Sequence, residues 1–228
     1  NYLDNEAIPL EIKSSIESRR NRKGWWQVYG LGQLGEVEGR IYTNWVIVDD
    51  IPDGARLERY GLDFGYTNDP TALIAVYKYN GGYVLDEVLY RKGLGNSKIA
   101  DVINAQPSGL VIADSSEPKS IDDIKLYGIS IIGAKKGAGS INQGIQRVQD
   151  YQISVTKRST NLIKEYRNYL FEVDKSGKVT NIPESGNDHA LDAVRYAISS
   201  ITPIVQRDSI LSDYDYEQDE MLYPDIGL

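Results

Sequence analysis

The sequence predicts an α/β domain. Its centre is a mixed sheet, three antiparallel strands followed by parallel ones, flanked by helices and preceded by a linker segment. Three observations carry this reading. Residues 58–64, 71–79 and 83–91 are apolar runs separated only by the turn-forming "GYTNDP" and "NGG". From residue 96 onward, short apolar runs alternate with helical patterns, the signature of parallel strands joined by crossover helices. The run "NDHALDAVRYAISSI" (187–201) repeats apolar residues at helical spacing and closes the order.

Taken in order, "PLEIKSSIESRR" (9–20) has proline at a helix start and few apolar residues, so it reads as a short surface helix. Gly30, Gly32 and Gly35 spell GxGxxG, but no strand-to-helix unit surrounds them, and the match is set aside as chance. "IYTNWVIVDD" (41–50) reads as a strand, and the Pro52 and Asp53-Gly54 turn chemistry places a boundary near residue 52. After the three-strand unit come a helix over 96–106, a strand over 108–114, and a helix over 117–128 with Pro118 in its first turn and Gly128 at its end. A strand over 129–134, a helix over 140–150, a short strand over 152–155 and a helix over 159–168 follow. "FEVDKSGKVTNI" (171–182) reads as a hairpin around Ser176-Gly177. The expected organisation is a linker segment at 1–52, a domain at 53–206 and an acidic tail at 207–228.

Bulk composition narrows the chemistry. The 228 residues are 41% hydrophobic, enough for a sizeable core, and contain no cysteine and one histidine. Disulfides, thiol catalysis, zinc-thiolate sites and histidine-rich metal cages are therefore excluded. No run approaches the roughly 18–20 apolar residues of a membrane span, and no secretory signal opens the sequence. The first residue is Asn1 rather than methionine, so the chain is read as a fragment or a processed product. Seven of the acids that make up its net charge of −8 lie in residues 208–228, which leaves a nearly neutral body able to present a basic face.

One aspartate stands out. Asp63 ends the apolar strand of "YGLDFGYTNDP", where a lone buried carboxylate is costly unless something neutralises it. Asp114 ends the first strand after the crossover helix in the same way. Asp188, His189 and Asp192 lie on the polar side of the last helix, spaced so that pairs of them face one point. If the fourth strand lies parallel beside the first, Asp63 and Asp114 end at the same sheet edge, where ligands of such sheets collect. A helix packed across that edge adds Asp192. Three carboxylates together repel unless cations sit between them, and oxygen-only ligation selects Mg²⁺ or Mn²⁺. Two such ions support phosphodiester hydrolysis. Taken singly, each residue has a plainer reading. Asp63 could be a turn residue, Asp114 and Asp188 helix-terminus acids, Asp192 a partner for Arg195, and His189 a surface side chain.

The stretches "YGLDFGYTNDPTA", "VIADSSEPKSIDDIK", "GAKKGAGSINQGI" and "NDHALDAVRYA" occur in an order that resembles the C-terminal nuclease domain of tailed-bacteriophage large terminase subunits, the motors of DNA packaging. The resemblance covers about residues 58–201. "YLDN" and "WWQVYGLGQLGEVEGRIY" further resemble the stretch that joins the family's ATPase to its nuclease. It implies an RNase H-like fold and an endonuclease that cuts concatemeric double-stranded DNA with Mg²⁺ or Mn²⁺. Asp63 and Asp114 correspond to strand-borne metal ligands, and Asp192 to the third acidic position. His189 is implied as a ligand or orienting group, and Asp188 as a further member of the metal site. Double-stranded DNA, a portal protein, a small terminase subunit and the procapsid are the implied partners, with no membrane and with the host cytoplasm as the place of assembly. The isolated domain is expected to be monomeric and the full motor oligomeric. No GxxxxGK[ST] motif is present, so the motor half is not credited to this chain.

Lys135 and Lys136, beside the glycines of 137–139, are candidates for holding a DNA phosphate. Lys157, Arg158, Lys164 and Arg167 form a second basic cluster, extended by Lys175 and Lys178. Another RNase H-like nuclease, of resolvase or RNase H type, is the nearest alternative. A non-catalytic portal or capsid docking module that uses the acidic tail is the alternative from another class.

Overall fold

The structure, a computed structural model, describes residues 2, 7–20, 23–32, 37–186 and 188–201. The acidic tail and Gly35 lie outside the described residues. The chain opens with α1 (Leu10–Ser18) and the short α2 (Lys23–Trp25), which runs into a π-helical turn at Trp26–Gly30. Then follow β1 (Val46–Val48), β2 (Arg56–Asp63), β3 (Thr71–Tyr79), β4 (Gly82–Arg91), α3 (Asn96–Asn104) and β5 (Val111–Ala113). Next come α4 (Pro118–Lys125), β6 (Ile131–Gly133), α5 (Ser140–Gln149), β7 (Ile153–Thr156) and α6 (Thr160–Asn168). The strands β8 (Phe171–Val173) and β9 (Val179–Pro183) form a separate hairpin before α7 (His189–Ser199).

The main sheet has the order β1-β7-β4-β3-β2-β5-β6. β2, β3 and β4 form the expected antiparallel unit. Asn80 (φ 45°) and Gly81 (φ 80°) turn the β3–β4 hairpin in the left-handed conformation that a two-residue hairpin turn needs. β5 pairs parallel to β2, and β6 parallel to β5. On the other side, β7 pairs parallel to β4, and β1 parallel to β7. The strand expected over 41–50 is confined to Val46–Val48, with Ile41 and Tyr42 buried in the core just before it. β1 pairs within the main sheet with β7, a strand a hundred residues later.

Alternation along the strands divides the core in two. Tyr60, Leu62, Leu73 and Ala75 face α3 and α4, packed with Ile99, Ile103, Ile121 and Ile124. Ala72, Ile74 and Val76 face the opposite side, against α5, α6 and α7. By the same period of two, Gly61 and Asp63 lie on the α7 side of β2. No helix among the described residues is long and apolar enough to cross a membrane.

α7 lies against β2 through its small residues. Ala190, Ala193 and Ala197 are fully buried. A Cβ at Gly61 would come within 1.8 Å of the Ala193 carbonyl oxygen. Three pairings fix the helix antiparallel to the strand: Ser200 beside Arg59, Ala193 over Gly61 and His189 beside Asp63. The N-terminus of α7 is thereby carried to the edge where β2 ends. Gly61→Ala should therefore cost at least about 1–3 kcal/mol, the scale of overpacking. Gly137→Ala, where nothing lies within 4 Å of an added Cβ, should be near neutral. Thermal denaturation of the two variants checks this contrast.

Candidate active site

β2 and β5 are paired in parallel with Leu62 opposite Ala113, so the next residue of each strand is an aspartate at the same edge. The Asp114 N–H donates to the Leu62 carbonyl at 2.9 Å, which extends the ladder to the carboxylates themselves. Asp114 shares the face of Ile112, which packs against Tyr196 of α7. Asp63 and Asp114 therefore both open toward α7, which adds Asp192 and His189 from its first turn.

Each carboxylate has its own neutralising partner. Asp63 is 7% exposed, and His189 Nδ1 lies 3.0 Å from its Oδ2. Burial pushes the Asp63 carboxyl up to about 6; the His189 bond opposes this, while the charges of Asp192 and Asp114 add to it. The bond to Asp63 in turn raises His189 above the ordinary histidine value. His189 Nε2 faces Asp69 of the β2–β3 loop at 3.7 Å. That loop is tied by the Thr71 hydroxyl, which accepts from Gly65 N–H and donates to Gly65 O.

Asp114 is held by the Lys136 ammonium and by the Ser116 N–H at 2.8 Å. Burial opposes ionisation there, but these donors keep its carboxyl below the usual aspartate value. Lys136 also donates to Ser116 Oγ at 3.0 Å and lies over the Tyr196 ring. Asp192 accepts from Arg195 at 2.6 Å and from the Tyr196 hydroxyl at 3.3 Å. Tyr196 stands among all three acids. Burial first, then the charges of Asp192, Asp63 and Asp114, push its hydroxyl up. Asp188 sits at the N-cap of α7 without a side-chain capping bond, and burial followed by the charge of Asp192 raises its carboxyl.

The donors are hard oxygens plus one imidazole, the set that suits Mg²⁺ or Mn²⁺. As the side chains stand, no three His, Asp or Glu groups among the described residues are gathered closely enough to hold one ion. Lys136, Arg195 and His189 each hold one of these carboxylates separately.

A family model described as "Terminase RNAseH like domain" matches residues 63–200, more than half of the chain. The chain belongs to this terminase family. The large terminase subunit of Bacillus phage SPP1 is 34% identical over 215 residues, covering 86% of this chain and 50% of that protein. The PBSX phage terminase large subunit of Bacillus subtilis (strain 168) is 28% identical over 148 residues, covering 61% of this chain and 34% of that protein. The chain thus spans half the length or less of these curated relatives. The nuclease domain of the SPP1 large terminase, crystallised with bound Mn, is 32% identical with a TM-score of 0.63; the match covers 69% of this chain and 97% of that one. The nuclease domain of thermophilic phage G20c with bound magnesium shares the fold at 15% identity and a TM-score of 0.54, covering 72% and 99%. The seven-stranded mixed sheet is the RNase H-like fold of these terminase domains.

In this terminase domain the candidate basic residues separate into groups. Lys135 and Lys136 flank the acidic edge. Lys157 is paired with Asp49 at 2.9 Å. Arg158 bridges Asp50 at 2.6 Å and the buried Asp86 at 2.7 Å. Both therefore fasten the end of β7 to the β1–β2 connection, a role sequence spacing could not reveal because the partners lie some 70 to 108 residues away. Lys164 and Arg167 are exposed on α6.

Glu165, the residue after Lys164, was missed. It is 4% exposed and accepts from the Tyr90 hydroxyl at 2.8 Å and from the Leu191 N–H at 3.0 Å. It thus caps the N-terminus of α7 from a neighbouring helix, where negative charge is favourable and the N–H groups lack partners. An acid in an amphipathic helix looks solvated in sequence, and only its register against α7 marks it. Burial pushes the Glu165 carboxyl up to about 7, against the opposing bonds from Tyr90 and Leu191. The folded-state value lies above the ordinary one, so the folded state binds this proton more tightly than the unfolded chain. This contribution to stability falls as pH rises from about 4.5 to about 7. Glu165→Gln should remove that slope, so the stability of the wild type relative to the variant should decline between pH 5 and pH 8. Thermal midpoints of both proteins at the two pH values check the sign.

Proposed function

We propose that this terminase domain is a divalent-metal-dependent endonuclease that cuts concatemeric double-stranded DNA during phage genome packaging. The observation that carries the reading is that Asp63 and Asp114 follow the ends of two adjacent parallel strands, with Asp192 of α7 near enough to act on Asp63 by its charge. The SPP1 domain with bound Mn supports it.

Asp63, Asp114 and Asp192 would hold the ions, two in number, with His189 and Asp188 at the margin. Bound Mg²⁺ or Mn²⁺ supplies activation of water and stabilisation of the leaving oxygen in phosphodiester hydrolysis. The chain's own groups do the rest. Lys136 leaves Asp114 for a phosphate oxygen of the substrate, its ammonium suited to either anion. Asp63 holds the His189 ring through Nδ1 and leaves Nε2 toward Asp69 of the β2–β3 loop. The Arg195 and Tyr196 bonds hold Asp192 on the side of α7 whose Tyr196 packs against Ile112 of β5. Packing of Gly61 against Ala193 and the Glu165 cap fix the helix that carries this constellation.

Phosphate contacts carry no base code, so cutting should show little sequence preference. By family, the working partners are the portal protein, the small terminase subunit and the procapsid, met in the host cytoplasm. Incubating supercoiled plasmid with the protein in Mn²⁺, Mg²⁺ or EDTA tests the reading. Cleavage is expected with either metal and not with EDTA. Asp63→Asn, Asp114→Asn and Asp192→Asn should each abolish it with the fold retained, and His189→Ala should lose roughly 10–100-fold. Persistent supercoils at high protein concentration, with DNA binding intact, would favour a docking role instead.

A further inference from the structure

We propose that a basic groove running along α7, away from the acidic edge, is the track for the substrate's phosphate backbone. We further propose that Arg59 and Arg147, which the sequence reading did not single out, hold the backbone there together with Lys135. The proposal rests on the nuclease reading above. The groove is lined by five cations, Arg59, Lys135, Lys136, Arg147 and Arg195, and by no carboxylate side chain. Its floor is the α7-side face of β5 and β6, with Ile112 and the half-exposed Ile132. Among the described residues, α7 touches this part of the sheet through Tyr196 against Ile112, while α3 and α4 pack on the opposite face and Ile132 stays half-exposed.

The cations are positioned rather than loose. Arg59 Nη1 donates to Ser200 Oγ at 2.8 Å, and Arg147 Nη2 to the Ile201 carbonyl at 3.0 Å, so both guanidinium groups are set at the far end of α7. Each retains further N–H donors. The buried Nε atoms of Arg59 and Arg195 have no hydrogen-bond partner. At the near end, Lys136 and Arg195 bond Asp114 and Asp192 directly, so the groove is continuous with the acidic edge. From Asp192 to Ile201 the helix rises about 13 Å, the length of roughly four base-pair steps along a duplex at 3.4 Å each. A row of cations over that length matches a polyanion's spacing, and Arg59, Lys136 and Arg195 would exchange their pairing with Glu58, Asp114 and Asp192 for phosphate. Lys157 and Arg158 lie outside this groove lining, paired with Asp49, Asp50 and Asp86.

The test measures binding of a labelled duplex of about 20 base pairs by fluorescence anisotropy across salt concentrations. It is done in EDTA, so that binding is read without cleavage. Arg59→Gln combined with Arg147→Gln should weaken affinity roughly tenfold and lower the slope of log affinity against log salt by about 2. Lys135→Gln should lower the slope by about 1. Lys157→Gln should leave it unchanged. Arg59 and Arg147 also tether the end of α7, so thermal midpoints accompany the double variant. Lys135 is exposed, and its variant decides the matter if the double variant does not fold. Wild-type slopes in the groove variants, with plasmid still cut by the wild type, would overturn the track and leave the nuclease reading standing. Reduced slopes in a protein whose wild type cuts no plasmid in Mn²⁺ would uphold the track and refute the nuclease reading.

Discussion

The parallel pairing of β2 with β5 is the constraint on which the rest depends. It ends two apolar strands side by side, about 4.8 Å apart, each followed by an aspartate turned to the same face. Two unit charges at 4 Å repel by about 4 kcal/mol at the effective dielectric of a protein surface. A third carboxylate from α7 adds to that. Such an arrangement persists only with compensating positive charge. Here Lys136, His189 and Arg195 provide it, one to each acid. The Asp63 carboxyl is raised chiefly by its burial, with smaller additions from the charges of Asp192 and Asp114.

The helix that supplies the third acid is fixed from two directions. Gly61 and Ala193 bring α7 to backbone contact with β2, closer than any side chain would permit. Glu165 and the Tyr90 hydroxyl hold its N-terminus from α6 and β4. A second close approach places Gly144 of α5 against the Arg195 side chain. The acidic edge and the groove are two ends of one device, and α7 joins them.

Much of this was legible in the sequence. The hairpin of β3 and β4 follows from alternating apolar runs around Asn80-Gly81, and α7 from its apolar periodicity. The placement of Asp63 and Asp114 at one sheet edge follows once the fourth strand is laid parallel to the first. What was not legible depends on distant partners. β1 reads as part of a linker because the strand it pairs with comes a hundred residues later. Lys157 and Arg158 read as a free basic cluster because Asp49, Asp50 and Asp86 are remote in sequence. Glu165 looks like any solvated helix acid, and Gly61 like a weak point in a strand. Both acquire meaning only from the helix packed against them.

A crystal of this protein soaked in Mn²⁺, with the ion located by its anomalous scattering, tests the central claim most directly. The account predicts a peak at the edge between Asp63 and Asp114, with Asp192 reaching it and the Lys136 ammonium withdrawn from Asp114. A peak elsewhere, or Lys136 still bonded to Asp114 at saturating Mn²⁺, would contradict it.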